Sequence, residues 1–186
     1  MFEFTKKLMF AQQLKMEEGR VTLLGDCISL LPTSVLAILT KKFEEDNRGQ
    51  ELYYIYKDSI KIYVKNIRKI YKAEGKKLLE IMMSLEKLGG WGIDELQKLD
   101  EVDHKASFWV HKNPLPEFYG KSPRPIDHFL RGLIAGSMAE IFNDPTLEGI
   151  ETQCISMGSP YCEFVIKPLG QFDEKMLKEY SYQLKL

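Results

Sequence analysis

Residues 148–167, EGIETQCISMGSPYCEFVIK, contain two short apolar segments separated by the turn sequence MGSP. Glycine and proline between two such segments predict an antiparallel β-hairpin. Cys154 and Cys162 are symmetric about Gly158, so they are expected to lie roughly opposite each other and on the same face of the hairpin. The hairpin therefore brings two of the three cysteines close together.

Three interpretations of this cysteine pair remain open. The two thiols can form a cross-strand disulfide, lie reduced in a core, or bind one metal ion. A reducing cytosol disfavours the disulfide, and a carboxylate and a histidine elsewhere in the chain favour the metal. However, the usual zinc signature contains a more closely spaced cysteine pair. The spacing alone therefore suggests a metal site without establishing one.

The composition is that of an ordinary globular protein. With 186 residues, of which 44% are hydrophobic and 28% charged, the chain is long enough for one domain with a full core. The net charge of −1 offers no electrostatic footprint for a nucleic acid or an anionic membrane. No apolar run reaches membrane-spanning length, and the first ten residues are too charged for a secretory signal. We therefore expect a cytoplasmic protein that forms a single domain over residues 1–186.

The amino-terminal part predicts a hairpin followed by helices. RVTLLGDCISLL places two apolar runs around Gly25-Asp26, which is a typical hairpin turn. Thr33 or Ser34 is expected to cap the next helix. A stripe of apolar residues from Leu52 to Ile70 has helical spacing, and it resumes after Gly75. This pattern predicts one long helix or two helices placed end to end.

The remaining segments complete an α+β fold, in which an antiparallel β-sheet packs against helices. KASFWVH alternates with the period of a strand. DHFLRGLIAGSMAEIF predicts a helix with small residues along one ridge, where another backbone can approach closely. We divide the chain into a hairpin and helical part (1–84), a core (85–168) and a carboxyl-terminal helix or tail (169–186).

The sequence resembles the 4-vinyl reductase-type (4VR) domain family. The resemblance rests on DHFLRGLIAGSMAEIF followed by EGIETQCISMGSPYCEFVI, which match a ligand residue, a glycine-bearing helix, and then Glu, Cys, Gly and Cys-x-Phe. EEGRVTLLGDCISLLPTSVLAIL is similar to the amino-terminal segment of the sensory domains of phenol- and toluene-responsive activators. The family also includes free-standing hydrocarbon-binding proteins. The resemblance covers residues 17–168 and implies a sheet backed by helices, often dimeric, related to subunits of a vesicle-tethering complex.

The resemblance also implies a structural zinc ion. Aromatic-sensing members bind zinc through a cysteine at the start of the glycine helix and through the Glu, Cys and Cys of the hairpin. The last three match Glu151, Cys154 and Cys162, whereas Asp127 stands where the family has its first cysteine. We prefer the adjacent His128 as the fourth ligand, since imidazole commonly accompanies two thiolates, with Asp127 as the alternative or as its hydrogen-bond partner.

The predicted position of Glu151 requires an irregular strand. In a regular strand its side chain would point away from Cys154, so ligation by both residues requires a β-bulge or a strand that begins after Glu151. Four protein ligands leave no open position for a substrate, so the zinc would be structural.

Ligand binding is the function that the resemblance implies. The family's sensors enclose a small hydrophobic or aromatic molecule between sheet and helices. Five aromatic residues from the matching region are candidates for such a pocket, although they can instead fill the core: Trp91, Phe108, Trp109, Phe118 and Tyr119.

The chain carries no nucleophile motif, phosphate-binding glycine loop or dinucleotide fingerprint, so we expect a sensor rather than an enzyme. The alternatives are an assembly subunit similar to the vesicle-tethering relatives, and an accessory protein of tetrapyrrole metabolism associated with vinyl reduction. We expect a symmetric homodimer that buries part of residues 17–40, because the amino-terminal hairpin and the small-residue ridge can both dock against a second copy. A further, unidentified protein would receive the signal.

Overall fold

The computed structural model describes residues 2–185. The helices are α1 (Phe2–Phe10), α2 (Thr33–Glu45), α3 (Gly49–Tyr71), α4 (Gly75–Gly89), α5 (Pro114–Tyr119), α6 (His128–Ile141) and α7 (Glu174–Glu179). The strands are β1 (Leu14–Glu17), β2 (Arg20–Leu23), β3 (Asp26–Ile28), β4 (Ile93–Asp100), β5 (Lys105–His111), β6 (Leu147–Gln153) and β7 (Cys162–Pro168). Short 3₁₀ turns cover Ile155–Met157, Leu169–Gln171 and Ser181–Gln183.

The strands form two antiparallel sheets, which confirms the predicted α+β class with its amino-terminal hairpin and long helix. The smaller sheet has the order β1-β2-β3, and the larger has the order β4-β5-β7-β6. The predicted turn at Gly25-Asp26 joins β2 to β3, where Leu23 pairs with Asp26. In the larger sheet β6 is an edge strand, and β5 and β7 lie in the middle.

The glycine-bearing helix α6 is the central element of the fold. All its residues except Glu140 are buried. A Cβ atom at Gly132 would lie 2.5 Å from the carbonyl oxygen of Tyr53 in α3, and one at Gly136 would overlap the carbonyl oxygen of Lys57. The predicted close backbone approach is therefore confirmed, and its partner is α3 of the same chain. This ridge is consequently not available to a second copy.

The strand period of β5 is also confirmed. Ala106, Phe108 and Val110 are buried, whereas the residues between them are only half-buried. The buried set faces the helices, and the alternate set faces the opposite side of the sheet. The hydrophobic core is continuous from Leu8 to Leu184, so it includes residues from both predicted parts and from the carboxyl-terminal segment. Among residues 2–185, no helix is both long and apolar enough to cross a membrane.

Three local details differ from the sequence predictions or refine them. Helix α2 begins after Pro32, and no side chain caps it, so the prediction of a Thr33 or Ser34 cap was wrong. The long apolar stripe forms two helices, since α3 ends at Lys72 in a left-handed conformation and α4 begins at Gly75. Strand β4 was not predicted because a register shift between Leu96 and Lys98 interrupts its alternation.

Candidate metal centre and ligand site

The end of the β6–β7 hairpin brings three candidate metal ligands together. Cys154 directly follows β6 and Cys162 begins β7, and both are buried with their Sγ atoms 4.0 Å apart. The register shifts between Glu151 and Gln153, which is the irregularity that ligation by Glu151 requires. One donor atom each from Glu151, Cys154 and Cys162 lies within 4.8 Å of the others. We call these three residues the Glu–Cys–Cys cluster.

The geometry of the cluster fits a cation better than a disulfide. The two sulfurs are farther apart than the roughly 2 Å of a disulfide bond. Two thiolates bound tetrahedrally to one zinc ion at about 2.3 Å would be about 3.8 Å apart, close to the observed separation. Glu151 Oε2 accepts a hydrogen bond from the Asp127 backbone at 2.7 Å, whereas the buried Oε1 has no hydrogen-bond partner among the described residues. A buried acceptor without a partner is costly, so a cation at this point would stabilise it.

The electrostatics of the cluster also favour a cation. Burial and the charge of Cys154 raise the pKa of Glu151 well above its usual value. A hydrogen bond from the Cys162 thiol lowers the pKa of Cys154 to about 6, and the same bond, followed by burial, raises the pKa of Cys162. Several acidic groups thus share one buried site, where ionisation of one opposes ionisation of the next. A divalent cation would remove this conflict.

Asp127 borders the cluster at the start of α6. As the N-cap residue it accepts a hydrogen bond from Leu130 N through Oδ1 at 2.8 Å. Its Oδ2 accepts from Asn113 Nδ2 at 2.6 Å, and that nitrogen also lies 3.8 Å from Cys162 Sγ. Burial is the main cause that raises the pKa of Asp127 to about 7. Its carboxylate is therefore positioned either to join the cluster or to orient it.

His128 is engaged by residues outside the cluster. Its Nε2 lies 2.5 Å from Glu44 Oε1, and its Nδ1 accepts a hydrogen bond from Arg131 at 3.0 Å. Burial lowers the pKa of His128. Both ring nitrogens are thus occupied by α2 and α6 residues, so this geometry favours Asp127 over His128 as the neighbour of the two thiols.

The five aromatic residues predicted for a ligand pocket do not lie together. Phe108 is buried on the face of β5 that packs against the helices. Trp91 stacks on Phe129 of α6, with ring centroids 4.7 Å apart. Trp109 lies on the opposite face of the sheet, where its Nε1 donates to Glu163 at 3.0 Å.

The other two aromatic residues belong to α5. Phe118 is 60% exposed, and Tyr119 is half-buried with Lys41 Nζ 5.2 Å from its ring centroid. A surface cleft of about 520 Å³ lies beside Ala106 and Val165, and another of about 520 Å³ lies beside Ser122 and Met157. None of the five aromatic residues lines either of these clefts.

A buried pair of carboxyl groups was missed in the sequence. Glu86 near the end of α4 and Asp94 in β4 lie next to each other, and burial raises the pKa of both, that of Asp94 to about 6. Both Asp94 carboxyl oxygens are shielded from solvent. The pair therefore retains a proton that ordinary carboxyl groups would lose. Sequence reasoning failed here because the irregular pattern of β4 concealed which of its residues point inward.

Comparison with known proteins identifies the region that contains the cluster. Residues 107–168 match the family model of the 4VR domain. No curated protein matches the sequence. Among solved structures, the phenol-responsive sensory domain of the transcription activator PoxR with phenol has a TM-score of 0.77 at 18% identity. The similarity covers 95% of this chain and 94% of that one.

Two other similar structures cover less of the chain. A vinyl-4-reductase family protein from Methanocaldococcus jannaschii has a TM-score of 0.54 at 21% identity, covering 76% of this chain and 84% of that one. Trafficking protein particle complex subunit 3 from Naegleria fowleri, covalently bound to palmitic acid, has a TM-score of 0.52 at 11% identity, covering 73% and 94%. These identities support a shared fold. The predicted resemblance is therefore confirmed over residues 107–168, which match the 4VR domain family and include the whole Glu–Cys–Cys cluster.

Proposed function

We propose that this chain is a single cytoplasmic ligand-sensing domain that binds a small hydrophobic or aromatic molecule and contains a structural zinc ion. The observation that carries the proposal is the extent of the similarity to the phenol-responsive sensory domain, which includes the amino-terminal helices and hairpin as well as the 4VR region. The similarity to the trafficking particle subunit covers only 73% of this chain at a lower TM-score. A sensor therefore accounts for more of the fold than an assembly subunit does.

We propose a binding role without catalysis. A zinc ion held by Glu151, Cys154, Cys162 and Asp127 would have no open position for a substrate, so its role would be to join the β6–β7 hairpin to the start of α6. Two aromatic side chains support a ligand site between the sheet and the helices, because Phe108 faces the helices and Trp91 stacks on α6. The ligand would be an apolar molecule, for which aromatic side chains are the usual lining.

The two tryptophans provide a direct test of ligand binding. In Trp109→Phe, Trp91 remains as the sole tryptophan, and phenol, toluene or palmitate should change its fluorescence saturably if it lines the site. A bound ligand should also raise the melting temperature, because a hundredfold excess over Kd stabilises the folded state by about 2.7 kcal/mol. In Trp91→Phe, the reporter Trp109 lies on the opposite face and its signal should stay flat. If none of these probes changes fluorescence or melting temperature at millimolar concentration, the sensor proposal fails for them.

We further propose that the sensor is a symmetric homodimer whose interface includes part of residues 17–40. Support comes from exposed apolar side chains within that range: Leu30 is 77% exposed, Leu31 61% and Ile38 69%. Light scattering at micromolar concentration should give twice the chain mass of 21.6 kDa. Leu31→Glu combined with Ile38→Glu should give a folded monomer, whereas Ile62→Glu, at an exposed position of α3, should remain dimeric. A monomer mass for the unmodified chain would contradict this proposal.

A further inference from the structure

The free edge of the larger sheet, along β6, is closed by side chains. Gly149 N donates to the Tyr53 hydroxyl at 2.9 Å, while Gly149 O accepts from Arg131 at 2.8 Å. Two residues further along β6, the carboxamide of Gln183 binds both backbone groups of Glu151. Gln183 Oε1 accepts from Glu151 N at 2.9 Å, and Gln183 Nε2 donates to Glu151 O at 2.8 Å. This side chain thus replaces the peptide group that a neighbouring strand would supply.

Gln183 belongs to a closing segment, residues 181–185, which is docked on the rest of the chain. Gln183 and Leu184 are only 1% and 2% exposed. Arg131, itself fully buried, donates to Gln183 O at 2.8 Å. Helix α3 binds the two ends of the segment, because Gln50 donates to Ser181 O at 3.2 Å and Lys185 N donates to the Tyr54 hydroxyl at 3.3 Å. The segment therefore connects α3, α6 and β6.

Glu151 is where the closing segment meets the Glu–Cys–Cys cluster. Its backbone is bound by Gln183, and its side chain lies in the cluster with Oε1 lacking a hydrogen-bond partner among the described residues. The register shift directly after Glu151 weakens the ladder that would otherwise fix this backbone. The two hydrogen bonds from Gln183 compensate for this weakness at the residue that must hold its carboxylate towards the two thiols.

We propose that Gln183 is a positioning residue for Glu151, and that metal binding at the cluster and docking of residues 181–185 stabilise each other. The proposal rests on the metal site of the proposed function. Because binding free energies are reciprocal, loss of the docked segment must weaken the metal by the same factor by which loss of the metal weakens docking. Residues that orient a metal ligand typically change metal affinity by about 10–100-fold. The closing segment would then report occupancy of the cluster at a distant surface of the domain.

Gln183→Met tests the first half of this coupling. Methionine keeps the length and volume of the side chain but removes both hydrogen bonds to Glu151. Zinc affinity, measured by competition with a chromophoric chelator, should fall about 10–100-fold. Gln153→Met makes the same chemical change at an exposed position of β6 and should leave zinc affinity unchanged. Equal zinc affinities for Gln183→Met and the unmodified chain would overturn the proposal.

Hydrogen exchange in the unmodified chain tests the second half without any substitution. The amide groups of residues 183–185 should exchange at least about tenfold faster after zinc is removed by a chelator, and re-addition of zinc should restore protection. If zinc is bound but its removal leaves this exchange unchanged, the coupling is overturned while the metal site stands. If elemental analysis finds no bound metal, both the coupling and the metal site are overturned.

Discussion

Asp94→Asn is expected to raise the free energy of unfolding at pH 8 by about 3 kcal/mol. Burial raises the pKa of Asp94 from 3.8 to about 6, so the folded chain binds a proton more tightly than the unfolded chain does. The stability associated with this proton is complete below about pH 4 and is lost as the pH rises through 6. A shift of about two pKa units corresponds to about 3 kcal/mol. Asparagine has no proton to lose, and its amide oxygen can accept a hydrogen bond from protonated Glu86.

The pH dependence of this difference is the decisive measurement. Chemical denaturation of both proteins between pH 4 and pH 8 should show the advantage of Asp94→Asn growing between pH 4 and 6 and levelling off above. Glu80→Gln, at an exposed position of α4, removes one carboxyl group without affecting the buried pair, and it should show no such trend. A difference between Asp94→Asn and the unmodified chain that is constant over this range would show that the pKa of Asp94 is not raised in the fold.

The sequence predicted best those features that depend on local chemistry. Glycine and aspartate at a turn indicated the first hairpin, and the small residues of α6 indicated a close backbone contact. The symmetric placement of Cys154 and Cys162 about Gly158 indicated two neighbouring thiols. The expected irregularity after Glu151 follows from the same reasoning, because a regular strand would separate this carboxylate from Cys154.

Features that depend on long-range packing were not accessible. Adjacent positions 127 and 128 both carry possible metal ligands, and only the placement of α2 shows that Glu44 engages His128. Similarly, the aromatic residues near position 109 could be assigned to one pocket in the sequence, although β5 directs Phe108 and Trp109 to opposite faces. The role of Gln183 had no signal at all, since its partner Glu151 lies 32 residues away.

Cys154→Ser is expected to abolish zinc binding and to lower thermal stability at the same time. A serine hydroxyl is a poor zinc ligand of nearly the same size as the thiol, so the substitution removes a ligand without opening a large cavity. When free zinc exceeds Kd a thousandfold, bound zinc stabilises the folded state by about 4 kcal/mol. For a domain of this length that corresponds to a fall in the melting temperature of roughly 10 °C. Elemental analysis and thermal unfolding measure the two effects.

Cys27→Ser is the matched control, because Cys27 is an exposed cysteine of the smaller sheet and its loss should change neither zinc content nor melting temperature. Asp127→Ala and His128→Ala then separate the candidates for the fourth ligand. Asp127→Ala should lower zinc affinity more, since both ring nitrogens of His128 are engaged by Glu44 and Arg131. A disulfide would give the opposite result: protein purified without reductant would contain no zinc and no reactive thiol at Cys154 or Cys162. That outcome would contradict the metal site, because a cation and a disulfide cannot share the same two sulfurs.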